Sequence, residues 1–156
     1  MVAGNPLVSI IVITYNSGKY VLETLESAKA QTYRNIELIV SDDGSVDNTV
    51  EICRNWINVN KDRFVRTELI TYPVNTGIPA NCNRGLKASR GGWVKFIAGD
   101  DILVDYCIEK FLCNLDGNAY IVCSEIKEFT DINEAVPVKN ETGDVKDYTL
   151  GDYKGK

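Results

Sequence analysis

Leu7-Val8-Ser9-Ile10-Ile11-Val12-Ile13-Thr14 is nearly continuous β-branched apolar sequence, the pattern of a parallel strand buried on both faces. Tyr15-Asn16-Ser17-Gly18 breaks it, and Lys19 to Gln31 then sets Val21, Leu22, Leu25 and Ala28 on one helical stripe. Ile36-Glu37-Leu38-Ile39-Val40 predicts a second strand. Asp42 to Asp47 predicts a turn, with Asp47 as N-cap of a helix carrying Val50, Cys53 and Ile57. Strand, helix and strand in this order predict an α/β domain: a mostly parallel sheet, right-handed crossovers, and helices on both faces.

The alternation continues outward. Glu68 to Tyr72 is a weaker third strand and Pro73 to Gly77 a loop. Pro79 suits the first turn of a helix that runs to about Ser89 and ends at Arg90-Gly91-Gly92. Trp93 to Ile97 is a fourth strand, Ile108, Phe111, Leu112 and Leu115 form a helical stripe, and Ala119 to Ser124 is a fifth strand. From Glu125 the pattern fades, and Lys127 to Lys156 is polar and acidic in patches. The expected organisation is therefore an α/β part over residues 1–125 and a polar C-terminal segment over 126–156, with the chain cut short of a final element.

Composition removes several function classes. The 156 residues suffice for one domain with a core, and 44% hydrophobic with 25% charged residues argues against disorder. No apolar run approaches the roughly 20 residues of a membrane span, and the first residues lack a basic n-region. A net charge of −5 leaves no basic surface for nucleic acid. The five cysteines (Cys53, Cys82, Cys107, Cys113, Cys123) form no C-x-x-C and read as reduced core residues of a cytosolic protein. The sequon Asn140-Glu141-Thr142 then reads as chance. There is no histidine, so Ser-His-Asp and zinc–histidine chemistry is excluded. A metal site would need oxygen ligands, which suits magnesium, manganese or calcium, and a general base would be a carboxylate.

Two acidic pairs stand where strands end: Asp42-Asp43 after Ile36 to Val40, and Asp100-Asp101 after Trp93 to Ile97. Ligands of open α/β sheets bind outside the carboxyl ends of the strands. Carboxylates converging there repel one another; a cation would relieve this, and a cation suits a phosphate-bearing ligand. Tyr15, after strand one, can stack on a nucleobase or pack on the helix below. Asn16 fits a cap or a turn equally. Asp43 can accept a hydrogen bond from the ring N–H of uracil, thymine or guanine, which adenine and cytosine lack on that edge. Gly44 permits a sharp turn, Asp42 can hold the loop, and Gly99 removes bulk where a ligand approaches. One acid of Asp100-Asp101 can reach a divalent ion completed by a diphosphate. Arg84, Lys87 and Arg90 are basic groups available to phosphate or to solvent.

Val8-Ser9-Ile10-Ile11-Val12-Ile13-Thr14-Tyr15-Asn16, Gln31-Thr32-Tyr33, Glu37 to Ser45, Asp47-Asn48-Thr49, Asn75-Thr76-Gly77, Asn83-Arg84-Gly85 and Phe96 to Asp101 follow one another in an order and spacing that resembles family 2 glycosyltransferases, over residues 7–125. The resemblance implies the Rossmann-like GT-A fold and inverting transfer from a nucleoside-diphosphate sugar, UDP-linked, with Mn2+ or Mg2+. It marks Thr14, Tyr15, Asp43, Arg84 and Asp100 as nucleotide-binding, Asp100 also as the metal ligand of the D-x-D motif, and Asp101 as sugar-binding. The acceptor is a glycan, lipid-linked sugar or protein, and the location cytoplasmic or at the inner face of the membrane. Ala98 replaces the first acid of D-x-D, and Cys82 stands where an Arg often precedes the Asn. The family's catalytic base normally lies further along than the resemblance extends; Asp144, Asp147 and Asp152 are available carboxylates without an assignment.

Two other functions are weaker fits. A non-catalytic nucleotide-sugar-binding module is favoured by Ala98 and by the missing base. A receiver or phosphatase domain is disfavoured: D-x-D-G needs an acid at Ser41, and a receiver's Asp would follow strand three, which ends at Tyr72-Pro73. A dinucleotide-binding domain is an equally poor fit, because no G-x-G-x-x-G follows strand one.

Overall fold

The structure is a computed structural model that describes residues 4–115. Its sheet and flanking helices lie within one compact unit, Gly4–Ile108. In chain order the elements are β1 (Val8–Thr14), α1 (Val21–Ala30), β2 (Ile36–Asp42), α2 (Thr49–Asn60), a 3-10 turn (Lys61–Arg63), β3 (Arg66–Thr71), α3 (Ile78–Ala88), β4 (Trp93–Ala98) and α4 (Cys107–Cys113). The four strands are all parallel, in the order β3-β2-β1-β4. Strand order therefore reverses between β1 and β4. Right-handed crossovers place α1 and α2 on one face and α3 on the other. The ligand-binding crevice of such a sheet lies outside the carboxyl ends of its strands, at this reversal.

The central strands carry the core. Ile10, Ile11, Val12, Ile36, Leu38, Ile39 and Val40 are fully buried, each contributing about 1.5–3 kcal/mol as an upper estimate. Ile11 faces α3 so closely that a Cβ on Gly85 would lie 2.4 Å from its Cγ2. On the other face α1 and α2 are tied by Trp56 Nε1–H donating to Glu26 at 2.6 Å.

Several expectations shift in detail. β2 runs through Asp42, whose register partner is Thr14, so the first acid of the pair ends a strand instead of opening a turn. On α1, Val21, Leu25 and Ala28 are buried but Leu22 is exposed, and Thr24 takes the inward place. The N-cap of α2 is Asn48, while Asp47 accepts the Thr49 N–H at 3.0 Å from one residue further out. Pro79 sits in the first turn of α3 as expected. Cys53 and Cys107 are buried, but Cys82 is half-buried and Cys113 exposed. Burial, assisted by the nearby Asp42 charge, pushes the Cys53 thiol up to about 12, leaving it inert. The expected strand Ala119 to Ser124 lies outside the described residues. No helix among the described residues is long and apolar enough to cross a membrane.

Candidate nucleotide site at the carboxyl edge

Parallel register delivers the strand ends to one line. Thr14 pairs with Asp42, Asp42 with Thr71, and Ile13 with Ala98. Tyr15, Asp43 and the Asp100-Asp101 pair thus leave the same edge of the sheet from β1, β2 and β4. Here the topology itself gathers residues separated by up to about 85 positions.

Asp42 holds the edge together. Its carboxylate accepts the Thr14 hydroxyl at 2.9 Å, the Ser45 N–H at 2.9 Å and the Gly44 N–H at 3.2 Å, and also the Ser45 hydroxyl. Thr14 is buried, and its carbonyl accepts the Asp43 N–H at 3.0 Å. Thr14 therefore fixes the site from beneath. Gly44 has φ +81, and a Cβ there would lie 2.7 Å from the Val74 backbone, so the turn needs glycine for both conformation and space.

Asp43 is only 2% exposed. Its Oδ2 accepts the backbone N–H groups of Thr76 at 2.9 Å and Gly77 at 2.7 Å; its Oδ1 accepts the Thr76 hydroxyl at 2.7 Å and the Arg84 guanidinium. Burial pushes this carboxyl up, but the Thr76, Gly77 and Arg84 donors outweigh it and hold Asp43 below the ordinary carboxylate range. Four donors occupy a group with about four acceptor sites. Arg84 also reaches Thr76 Oγ1 at 2.8 Å, lies 4.5 Å over the Tyr72 ring, and leaves its buried Nε without a hydrogen-bond partner among the described residues.

Asn81 completes this cluster from α3. It is buried, donates to the Ser41 carbonyl at 2.9 Å and the Thr14 carbonyl at 3.3 Å, and accepts the Ser41 hydroxyl at 2.6 Å. Thr76 stands in the Asn75-Thr76-Gly77 motif without an assigned role, and Asn81 has no place in the sequence reading. The available signal was an Asn on the same helical face as Gly85, four residues on, where a core helix would carry an apolar side chain.

Tyr15 is 48% exposed, and no hydrogen bond engages its side chain among the described residues. Asp100 and Asp101 are both exposed, at the turn after β4, and no hydrogen bond or ion pair engages their side chains among the described residues. Gly99 plays a different part from the one expected. It is buried, and a Cβ there would lie 2.8 Å from Thr14 Cγ2 and 2.9 Å from Ser17 Oγ, so its smallness serves the packing of β4 against the β1 loop. Lys87 and Arg90 belong to the far edge. The Arg90 N–H donates to Glu37, which pairs with Ser9 at the start of β1, five strand residues or roughly 17 Å from Thr14.

No group of three or more Asp, Glu, Cys or His among the described residues could hold a metal alone. One or two free carboxylates at an edge do fit a magnesium- or manganese-type ion that keeps waters and takes substrate phosphates as its other ligands.

Comparison with known proteins gives this edge a context. Residues 9–153 match the family model described as Glycosyl transferase family 2. The glycosyltransferase GlyG of Streptococcus pneumoniae is 38% identical over 104 residues, covering 66% of this chain and 33% of GlyG. Chondroitin synthase of Escherichia coli is 33% identical over 111 residues, covering 68% of this chain and 15% of the synthase. The chain spans less than half the length of the curated relatives it matches. Among solved structures, S. aureus TarS in complex with UDP-GlcNAc has a TM-score of 0.61 at 29% identity, covering 69% of this chain and 30% of TarS. The mannosyltransferase PcManGT from Pyrobaculum calidifontis, in complex with GDP-Man and Mn2+, has a TM-score of 0.60 at 27% identity, covering 64% of this chain and 29% of PcManGT. The four-stranded parallel sheet with flanking helices is thus the GT-A arrangement expected from the sequence.

Proposed function

The chain belongs to glycosyl transferase family 2, and we propose that residues 1–125 are the nucleotide-sugar-binding part of an inverting enzyme. That enzyme passes a sugar from a nucleoside-diphosphate donor, UDP-linked, to an acceptor hydroxyl of a glycan or lipid-linked sugar. The observation that carries this reading is the meeting, at the carboxyl edge, of a buried ionised carboxylate (Asp43), an exposed ring (Tyr15) and an unengaged acid pair (Asp100, Asp101).

Tyr15 stacks on the base, and Asp43 accepts its ring N–H. Because every acceptor site of Asp43 is engaged, the ring N–H takes the place of an internal donor. The Thr76 and Gly77 N–H groups are fixed in the backbone, so the Arg84 guanidinium yields and faces the nucleotide. Thr14 supports the base pocket from below. Asp100 would hold Mn2+ or Mg2+, and such an ion would supply positive charge to the diphosphate of the departing nucleotide. Asp101 orients the sugar. The catalytic base is not among the residues assigned; Asp144, Asp147 and Asp152 lie outside the described residues. The enzyme works in the cytoplasm or at the inner face of the membrane. A non-catalytic nucleotide-sugar-binding module is the second reading, favoured by Ala98 in the place of an acid.

Thermal unfolding with a panel of diphosphates and manganese tests the base assignment. UDP or GDP at about 100 Kd adds roughly 2.7 kcal/mol, a rise of about 5–11 °C, while CDP and ADP add little. No shift with any nucleotide, or equal shifts with CDP and UDP, would overturn it.

A further inference from the structure

Tyr15 is held by what flanks it, since nothing bonds its side chain among the described residues. On its far side, Asn16 is the one non-glycine residue of positive φ (51°) among those described. The left-handed conformation costs most L-residues, though Asn and Asp tolerate it. It turns both polar ends of Asn16 toward the β2–α2 loop. The Asn16 N–H donates to Ser45 Oγ at 2.8 Å, and Asn16 Oδ1 accepts the Val46 N–H at 2.9 Å. Two residues on, the Gly18 N–H donates to Asp47 at 3.0 Å. A Cβ on Gly18 would lie 2.2 Å from Asn48 Oδ1. Ser45 is itself anchored to Asp42, which also takes the Thr14 hydroxyl. The loop bearing Tyr15 and the loop leaving Asp43 are thereby fastened on both sides of the ring.

We propose that Asn16 is a positioning residue for the nucleotide. It sets the Tyr15 ring at a fixed height over the base position beside Asp43, and it touches no ligand itself. This rests on the nucleotide reading above and adds to it a residue whose effect passes wholly through Tyr15. Holding the ring before the ligand arrives removes an ordering cost from binding.

The test is a double-mutant cycle on UDP affinity, measured by calorimetry with manganese in the full chain. Tyr15→Ala is expected to weaken binding about tenfold and Asn16→Ala about fivefold. In the Tyr15→Ala background, Asn16→Ala should add less than a twofold loss. Asn16→Asp keeps the acceptor and the backbone preference, and stays within about threefold of wild type. Asn16→Gly keeps the backbone alone and falls between, which guards against an Asn16→Ala chain that fails to fold. Equal losses from Asn16→Ala with and without Tyr15 would overturn the positioning role and leave the nucleotide site standing. So would a loss in Asn16→Asp as large as in Asn16→Ala, because it would mean the amide N–H touches the ligand. Absence of UDP binding by the wild-type chain would remove the site and this role together.

Discussion

Two buried carboxylates sit at opposite ends of the same sheet, and their surroundings are closely alike. At the amino edge Glu37, wholly buried, accepts the Ser9 hydroxyl at 2.6 Å, the Arg66 guanidinium at 2.9 Å, the Gly91 N–H at 3.1 Å and the Arg90 N–H. Burial pushes Glu37 up, and these donors outweigh it and hold the carboxyl below its ordinary value. At the carboxyl edge Asp43 collects Thr76, Gly77 and Arg84 with the same outcome. Saturation, burial and a lowered pKa thus fail to separate a structural tie from the proposed ligand-binding group. Position separates them. Asp43 lies at the carboxyl edge, one strand from the reversal, on the edge that also carries an exposed ring and free acids, whereas Glu37 ties β1 and β3 to the turn between α3 and β4.

The comparison breaks most easily at Glu37. Glu37→Ala takes from Arg66 one of its partners, leaving Glu68 and the Ala88 carbonyl, and leaves the Arg90 N–H unpaired while the Gly91 N–H keeps Ser9 Oγ. It should cost about 2–3 kcal/mol of unfolding free energy in urea. UDP affinity of the molecules that remain folded should not change. A loss under about 1 kcal/mol, or a change in affinity, would sink the structural assignment. Acid sharpens the same point. Both folded-state pKa values lie below the unfolded references of 4.5 for Glu37 and 3.8 for Asp43. Their stabilisation is therefore present above those values and is lost as pH falls through the folded ones. Melting temperature should drop below about pH 4, and less steeply in Glu37→Gln.

Asp43→Asn should show the reverse profile. UDP binding is expected to weaken about 30- to 100-fold, roughly 2–2.7 kcal/mol, with a smaller stability loss than at Glu37. Arg84 at 20% side-chain exposure can turn to water once its partner changes. A stability loss equal to that of Glu37→Ala with UDP affinity intact would make Asp43 a second structural tie. Tyr15→Ala, the smallest of the three, should leave the melting temperature within about 1–2 °C while costing about 1.4 kcal/mol in UDP binding. Unchanged affinity would mean that the ring only covers the loop.

Much of this was legible in the chain. The β-branched runs of β1 and β2 fixed the two central strands, and alternation with helices fixed their parallel arrangement. Acids just past strand ends marked the ligand edge. What escaped depends on partners distant in sequence. Glu37 looks like the solvent-facing residue of a strand until Arg66 and the Arg90-Gly91 turn close over it, 29 and 53 positions away. Gln31 is buried because α1 and the segment before α4 meet on it: it donates to the Val104 carbonyl at 2.8 Å and accepts the Ile108 N–H at 3.1 Å. Leu22 faced outward and Thr24 inward because side-chain direction on α1 follows from how the helix is turned against β1, which apolar identity alone does not set. Arg90 and Lys87 were grouped with Arg84 by charge, and the helix axis carried them to the opposite edge.

The most direct measurement is calorimetric titration of UDP into the full chain, with and without manganese, beside Asp43→Ala and Asp100→Ala. The account predicts binding by the wild type that strengthens with manganese, loss of binding in Asp43→Ala, and loss of the manganese effect in Asp100→Ala. Wild-type binding that both variants retain would place the nucleotide away from the carboxyl edge and contradict the account.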